Sequence, residues 1–138
     1  MLNRILVGYD GSEPARKAFD YGLDLAQKYG ARILVLTVVQ PPDFSEDVET
    51  EALVENSRAW HEKLLAPLKQ RVAAQAIPVR FEVAVGHPAQ QIIYRADRDK
   101  ADLIIVGHRG KSLFQRLLLG SVSKQVIQYA ERPVLVVR

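Results

Sequence analysis

Three stretches of the chain, Ile5–Val7, Ile33–Val39 and Leu103–Val106, are continuously apolar rather than apolar at every second position. Strands covered by helices on both faces look like this, because neither side of the sheet meets water. A fourth stretch, Val79–Ala84, alternates in part, and a fifth, Val134–Val137, closes the chain. The intervening segments follow the helical period. Ala15, Ala18, Phe19, Gly22, Leu23 and Ala26 recur at steps of three and four, as do Ala89, Ile92, Ile93 and Ala96. Trp60, Leu64, Leu68 and Val72 form a third stripe. Pro67 falls inside that stripe, where the missing N–H and the ring bend a helix or split it.

Boundary residues agree with this division. Ser12 followed by Pro14 starts the first helix, Gly30 ends it, Pro88 opens the third, and Pro133 separates the last helix from the last strand. The order is β-α-β-α-β-α-β-α-β. Strict alternation with right-handed crossovers predicts an α/β doubly wound three-layer sandwich: a five-stranded parallel sheet of order 3-2-1-4-5 with helices on both faces. In such sheets ligands bind beyond the carboxyl ends of the strands, where strand order reverses. For this order the reversal lies between the first and fourth strands. Their carboxyl ends carry Gly8-Tyr9-Asp10-Gly11-Ser12 and Gly107-His108-Arg109-Gly110, the two most glycine-punctuated places in the chain.

A length of 138 residues with 48% hydrophobic positions suits one domain spanning 1–138 with one buried core. The absence of cysteine excludes disulfides, thiolate metal sites and thiol catalysis, and suits a reducing compartment. With neither a signal-peptide stretch nor an apolar run of membrane-spanning length, the expectation is a cytoplasmic protein that does not enter a membrane. Charge sharpens the picture only when divided. Residues 1–106 carry 13 basic and 15 acidic side chains, a net of −2, whereas 107–138 carry 6 basic against Glu131 alone, a net of +5. That segment has no aromatic interleaving and no nucleic-acid motif, so a small polyanion is favoured over a nucleic acid. Asp43–Glu55 holds six acidic residues and no basic one, and reads as a mobile, solvated connection running into the second helix.

After the fourth strand come Gly107-His108-Arg109-Gly110-Lys111-Ser112 and later Gly120-Ser121-Val122-Ser123, which opens an apparent helix. Glycines let the backbone approach a phosphate, and a helix beginning near Ser121 adds its positive end. Arg109 and Lys111 supply charge, and Ser121 a hydroxyl. Two familiar phosphate loops are excluded: a P-loop ending at Gly110-Lys111-Ser112 needs glycine where Ile105 stands, and Gly8 to Gly11 lacks the G-x-G-x-x-G spacing. Asp10 would repel a bare phosphate. It is suited to a base, a ribose or a metal, or equally to capping the turn before the first helix.

The spacing glycine, two residues, glycine, nine residues, glycine-serine, met by Gly107, Gly110, Gly120 and Ser121, resembles the ATP-binding motif of universal stress proteins. Ile5 to Ser12, Gly86-x-Pro88-Ala89, Ala101 to Gly107 and the ending Arg132 to Val137 are also similar to that family. The resemblance implies that Asp10 and the backbone around Val38 and Val39 line the adenine and ribose end. Gly107, Arg109, Gly110, Gly120, Ser121 and Val122 would then hold ribose and phosphates. It further implies ATP as ligand, with Mg²⁺ or Mn²⁺ on the phosphates, a homodimer, and a role in stress tolerance; members without the glycine motif do not bind ATP.

Candidates for chemistry are few. His108 reads as a surface histidine beside Arg109, His61 lies in a polar helical stretch, and His87 precedes Pro88 as a helix-start residue. No two histidines stand at metal-ligand spacing, so no protein metal site is expected, although Asp10 could assist Mg²⁺ on the phosphates. No catalytic residue is assigned, and at most slow ATP turnover follows. The leading expectation is a nucleotide-dependent sensor or regulator read by another protein. An ATP-using enzyme of related architecture and a nucleotide-independent assembly protein are the alternatives. The apolar edge Val134–Val137 is the expected dimer seam.

Overall fold

The computed structural model of the chain describes residues 1–41, 48–109 and 119–138, and all of these side chains except those of 48–54. Five strands, β1 (Arg4–Gly8), β2 (Arg32–Val39), β3 (Val79–Val85), β4 (Leu103–Gly107) and β5 (Val134–Val137), alternate with four helices. These are α1 (Glu13–Tyr29), α2 (Val48–Ala73), α3 (Pro88–Arg98) and α4 (Ser121–Tyr129). All pairings are parallel and the order is β3-β2-β1-β4-β5, as expected.

The continuous apolar runs become intelligible at the level of alternate residues. Ile5, Val7, Ile33, Val35 and Ile105 face one way and pack under α1 and α2 with Ala18, Phe19, Leu65 and Leu68. Leu6, Leu34, Leu36, Ile104 and Val106 face the other way, under α3 and α4 with Ile92, Ala96 and Val126. Each strand therefore feeds two cores, and a polar residue at either parity would lose burial.

Local chemistry sets the helix ends. Ser12 caps α1, its hydroxyl oxygen accepting the Ala15 N–H at 3.2 Å, and Gly30 closes it at φ 67°, in the left-handed region that favours glycine. Pro88 occupies the first turn of α3 behind His87, the residue at its N-cap. Of the two outcomes open at Pro67, a bend or a split, the second helix excludes the split, and only its apolar stripe departs from expectation. It runs through Pro67 unsplit, the roughly 3 kcal/mol cost of an interior proline being offset by burial of Leu65 and Leu68 against β2 and β3. Its apolar stripe comprises Leu64, Leu65, Leu68 and Val72, while Trp60 is 49% exposed and meets His61 edge-on. Within the acidic stretch, residues 48–55 already belong to α2, and 43–47 lie outside the described residues.

Candidate nucleotide-binding site

Between the carboxyl ends of β1 and β4, where strand order reverses, lies a cleft of about 260 Å³. Ligand sites typically span about 300–1,000 Å³, so this one suits a small molecule. Its β2 side is apolar, formed by Leu36, Val38, Pro88 and Ile92, and its β4 side is polar, formed by Gly107, Arg109, Gly120 and Ser121. An amphipathic slot of this kind fits a ligand with a flat apolar end and an anionic end.

The polar end is built from main chain. Gly120 is the N-cap of α4, in extended conformation and without a side-chain cap. Its N–H donates to the His108 carbonyl at 2.7 Å, and the His108 N–H donates to the Val137 carbonyl at 2.7 Å. The N–H groups of Ser121, Val122 and Ser123, in the first turn of α4, have no acceptor within the helix. All three residues line the cleft, so the positive end of the helix faces it. Ser123, 3% exposed, donates its hydroxyl to the Gly107 carbonyl at 2.5 Å and ties α4 to the end of β4.

Of the nine residues that sequence reasoning nominates, seven line the cleft: Asp10, Val38, Gly107, Arg109, Gly120, Ser121 and Val122. Gly110 lies outside the described residues, with Lys111 and Ser112. Val39 does not line it; it is 1% exposed, and its carbonyl accepts the Gly86 N–H at 2.9 Å. Strand alternation turns the Val39 side chain to the face opposite that of Val38, whereas the expectation concerned the backbone at these two positions. The same alternation would have nominated Leu36 from Val38. Ile92 and Pro88 carry no sequence signal of this role, since α3 reaches the cleft only through its packing on the sheet.

Asp10 takes the capping role and lines the cleft as well. Its Oδ1 accepts the Ser12 N–H at 2.9 Å, fixing the turn that leads into α1. His108 is not simply a surface residue: it is half-buried, and its Nδ1 is enclosed without a hydrogen-bond partner among the described residues. Among the six cations of the basic C-terminal segment, Arg109 alone of those described lines the cleft. Arg132 pairs instead with Asp97 at 3.3 Å. Among the described residues no group of three or more His, Cys, Asp or Glu stands together as a metal site, and no helix is long and apolar enough to cross a membrane.

Comparison with known proteins agrees with this geometry. The family model described as the universal stress protein family matches residues 1–138. A universal stress protein of Thermus aquaticus is 36% identical over 140 residues, covering the whole of both chains. The solved structure of the universal stress protein UspA from Lactobacillus plantarum superposes with a TM-score of 0.90 at 27% identity, covering 99% of this chain and 98% of that one. A universal stress protein solved in complex with cAMP has a TM-score of 0.75 at 28% identity, covering 99% and 97%. A match along the full length, on the same strand order, leaves one assignment: this chain belongs to the universal stress protein family.

Proposed function

We propose that this protein binds ATP in the cleft between β1 and β4 and acts as a nucleotide-dependent sensor or regulator in the cytoplasmic stress response, with slow hydrolysis or none. The observation that carries the proposal is the meeting, in one crevice, of an uncapped helix N-terminus and Arg109 with an apolar slot. The slot of Leu36, Val38, Pro88 and Ile92 suits a purine. Asp10, with one oxygen held by Ser12, keeps the other for ribose hydroxyls. Arg109, Gly107, Gly120 and the N–H groups of Ser121 and Val122 suit the phosphates, with Gly110 completing the loop and Val39 supporting Val38 from the core. Mg²⁺ or Mn²⁺ would arrive on the phosphates, Asp10 being the one carboxylate among the described residues of the cleft. The related protein solved with cAMP supports an adenine nucleotide as the ligand class. A homodimer through β5 would present the nucleotide-dependent surface to a regulatory partner.

Calorimetry with ATP tests the site. Binding in the micromolar range, about 8 kcal/mol at 1 μM, is expected for the wild-type chain, and a folded Gly120→Val variant should lose it. A branched side chain at the buried N-cap would occupy the phosphate space. Unchanged affinity in that variant would remove the assignment.

A further inference from the structure

At the opposite end of the sheet, where the strands begin, two adjoining grooves share Arg4 and Arg32. Arg98 from the last turn of α3 borders one and Lys100, in the turn beyond it, borders the other. These four cations are exposed. Several cations elsewhere on the surface have anionic partners: Arg16 with Glu13, Lys28 with Asp24, Lys69 with Glu62, Arg71 with Asp20. Here they do not. Among the described residues the side chains of Arg32, Arg98 and Lys100 make no ion pair or hydrogen bond, and Arg4 donates only to the neutral carbonyl of Asp99, at 3.0 Å.

The carboxylates nearby are already committed. Glu82 pairs with Arg80 and Arg95, and Asp99 with Arg95, so those two cations and two anions balance. Asp102 accepts the N–H groups of Asn3 and Arg4 at 2.8 and 2.9 Å. Four cations against Asp102 leave a local net of +3, equal to the formal net charge of the entire chain. Helix ends explain part of this, since α1 and α3 finish here and a cation offsets their negative poles. The contact of Arg4 with the Asp99 carbonyl and the place of Arg98 in the last turn of α3 meet that need in part, yet none of Arg32, Arg98 and Lys100 has an anionic partner among the described residues.

We propose that the amino end of the sheet, remote from the nucleotide cleft, is a docking surface for an acidic segment of a partner protein that also carries aliphatic side chains. The charge calls for an anion, and the floor selects its kind. Beside the cations the larger groove is lined by the accessible apolar residues Pro78 and Val79, with Leu34 and Ala101 almost wholly buried beneath, ground that aliphatic side chains cover and a phosphate backbone cannot use. No aromatic ring among the described residues lines either groove, so they offer no stacking platform of the kind on which single-stranded nucleic acids rely. Unpaired exposed cations cost little in the free protein and steer association with an acidic partner.

The test is a titration of ¹⁵N-labelled full-length protein with a synthetic Glu/Leu peptide, beside a single-stranded oligonucleotide of equal charge, at fixed salt. The expected result is that the peptide shifts the amides of Arg32, Ile33 and Arg98 to Ala101 and leaves Val38 and Gly107 unmoved. Arg32→Glu with Arg98→Glu should weaken the peptide about tenfold or more, and Arg98→Glu alone by a smaller factor. The unchanged cleft resonances report that the variants remain folded. Equal peptide affinity in the double variant, shifts at other residues, absence of binding at millimolar peptide, or tighter binding of the oligonucleotide at these residues would each overturn the proposal.

Discussion

Gly107 lies against Pro14 so closely that a methyl group at position 107 would stand 2.7 Å from the Pro14 Cβ and 2.9 Å from its carbonyl carbon. The first turn of α1 thus docks on the end of β4 through a gap that only a glycine leaves. Gly107→Ala should therefore destabilise the fold by about 1–3 kcal/mol, the usual range for overpacking, because backbone and not a flexible side-chain tip must give way. Urea unfolding decides this, and an unaltered midpoint would show that α1 shifts without cost. Within the glycine motif Gly107 thus serves packing, whereas Gly120 is the N-cap of α4.

Turnover should be slow. His108 has an enclosed Nδ1 and a backbone clamped between Val137 and Gly120, and no partner among the described residues orients it as a base. ATP hydrolysis should fall far below the roughly 10 s⁻¹ of ordinary enzymes, with His108→Ala changing it little. A brisk rate that disappears in His108→Ala would favour an ATP-using enzyme instead.

The two edges of the sheet are not equivalent. In β3 the carbonyl of Val83 points away from β2, and Arg58 donates to it at 3.3 Å, occupying that edge. In β5, Pro133 and Val137 bond to β4, so the N–H and C=O groups of Val134 and Val136 face outward. An apolar edge with outward N–H and C=O groups invites antiparallel pairing about a two-fold axis. Sedimentation should find a wild-type dimer that Val136→Lys dissociates and Arg58→Ala leaves intact. A wild-type monomer at tens of micromolar would end the β5 proposal.

Asp102 links stability to acid. The N–H groups of Asn3 and, next, Arg4 hold its carboxyl below the ordinary aspartate value. A carboxyl with a depressed folded-state pKa contributes stability above its unfolded value, about 3.9, and loses it as pH falls through the folded value. Asp102→Asn should be less stable than wild type at neutral pH, and the difference should shrink as the pH falls below the unfolded value of about 3.9. Urea midpoints measured across that range check the sign; a gap that widens in acid would contradict it.

Much of this protein was legible along the chain because its signals are local. Ser12, Gly30 and Pro88 act within a turn of themselves, and an apolar run bounded by them is a buried strand wherever it lies. The alternation of elements then restricts the sheet to few orders, and the reversal point of that order coincides with the loops holding Asp10, Gly107 and Gly120. Pairings between distant residues were not legible in this way. That Val39 faces away from the cleft, that Pro67 sits inside a continuous helix, and that Gly107 is spaced by Pro14 depend on which surfaces meet after folding. The gathering of Arg4, Arg32, Arg98 and Lys100 at one end is of the same kind. By sequence, positive charge concentrates after Gly107, yet this cluster of four assembles from residues drawn from the first hundred. Charges combine through space, and parallel strands that start together bring their first residues to a common edge however far apart the chain has placed them.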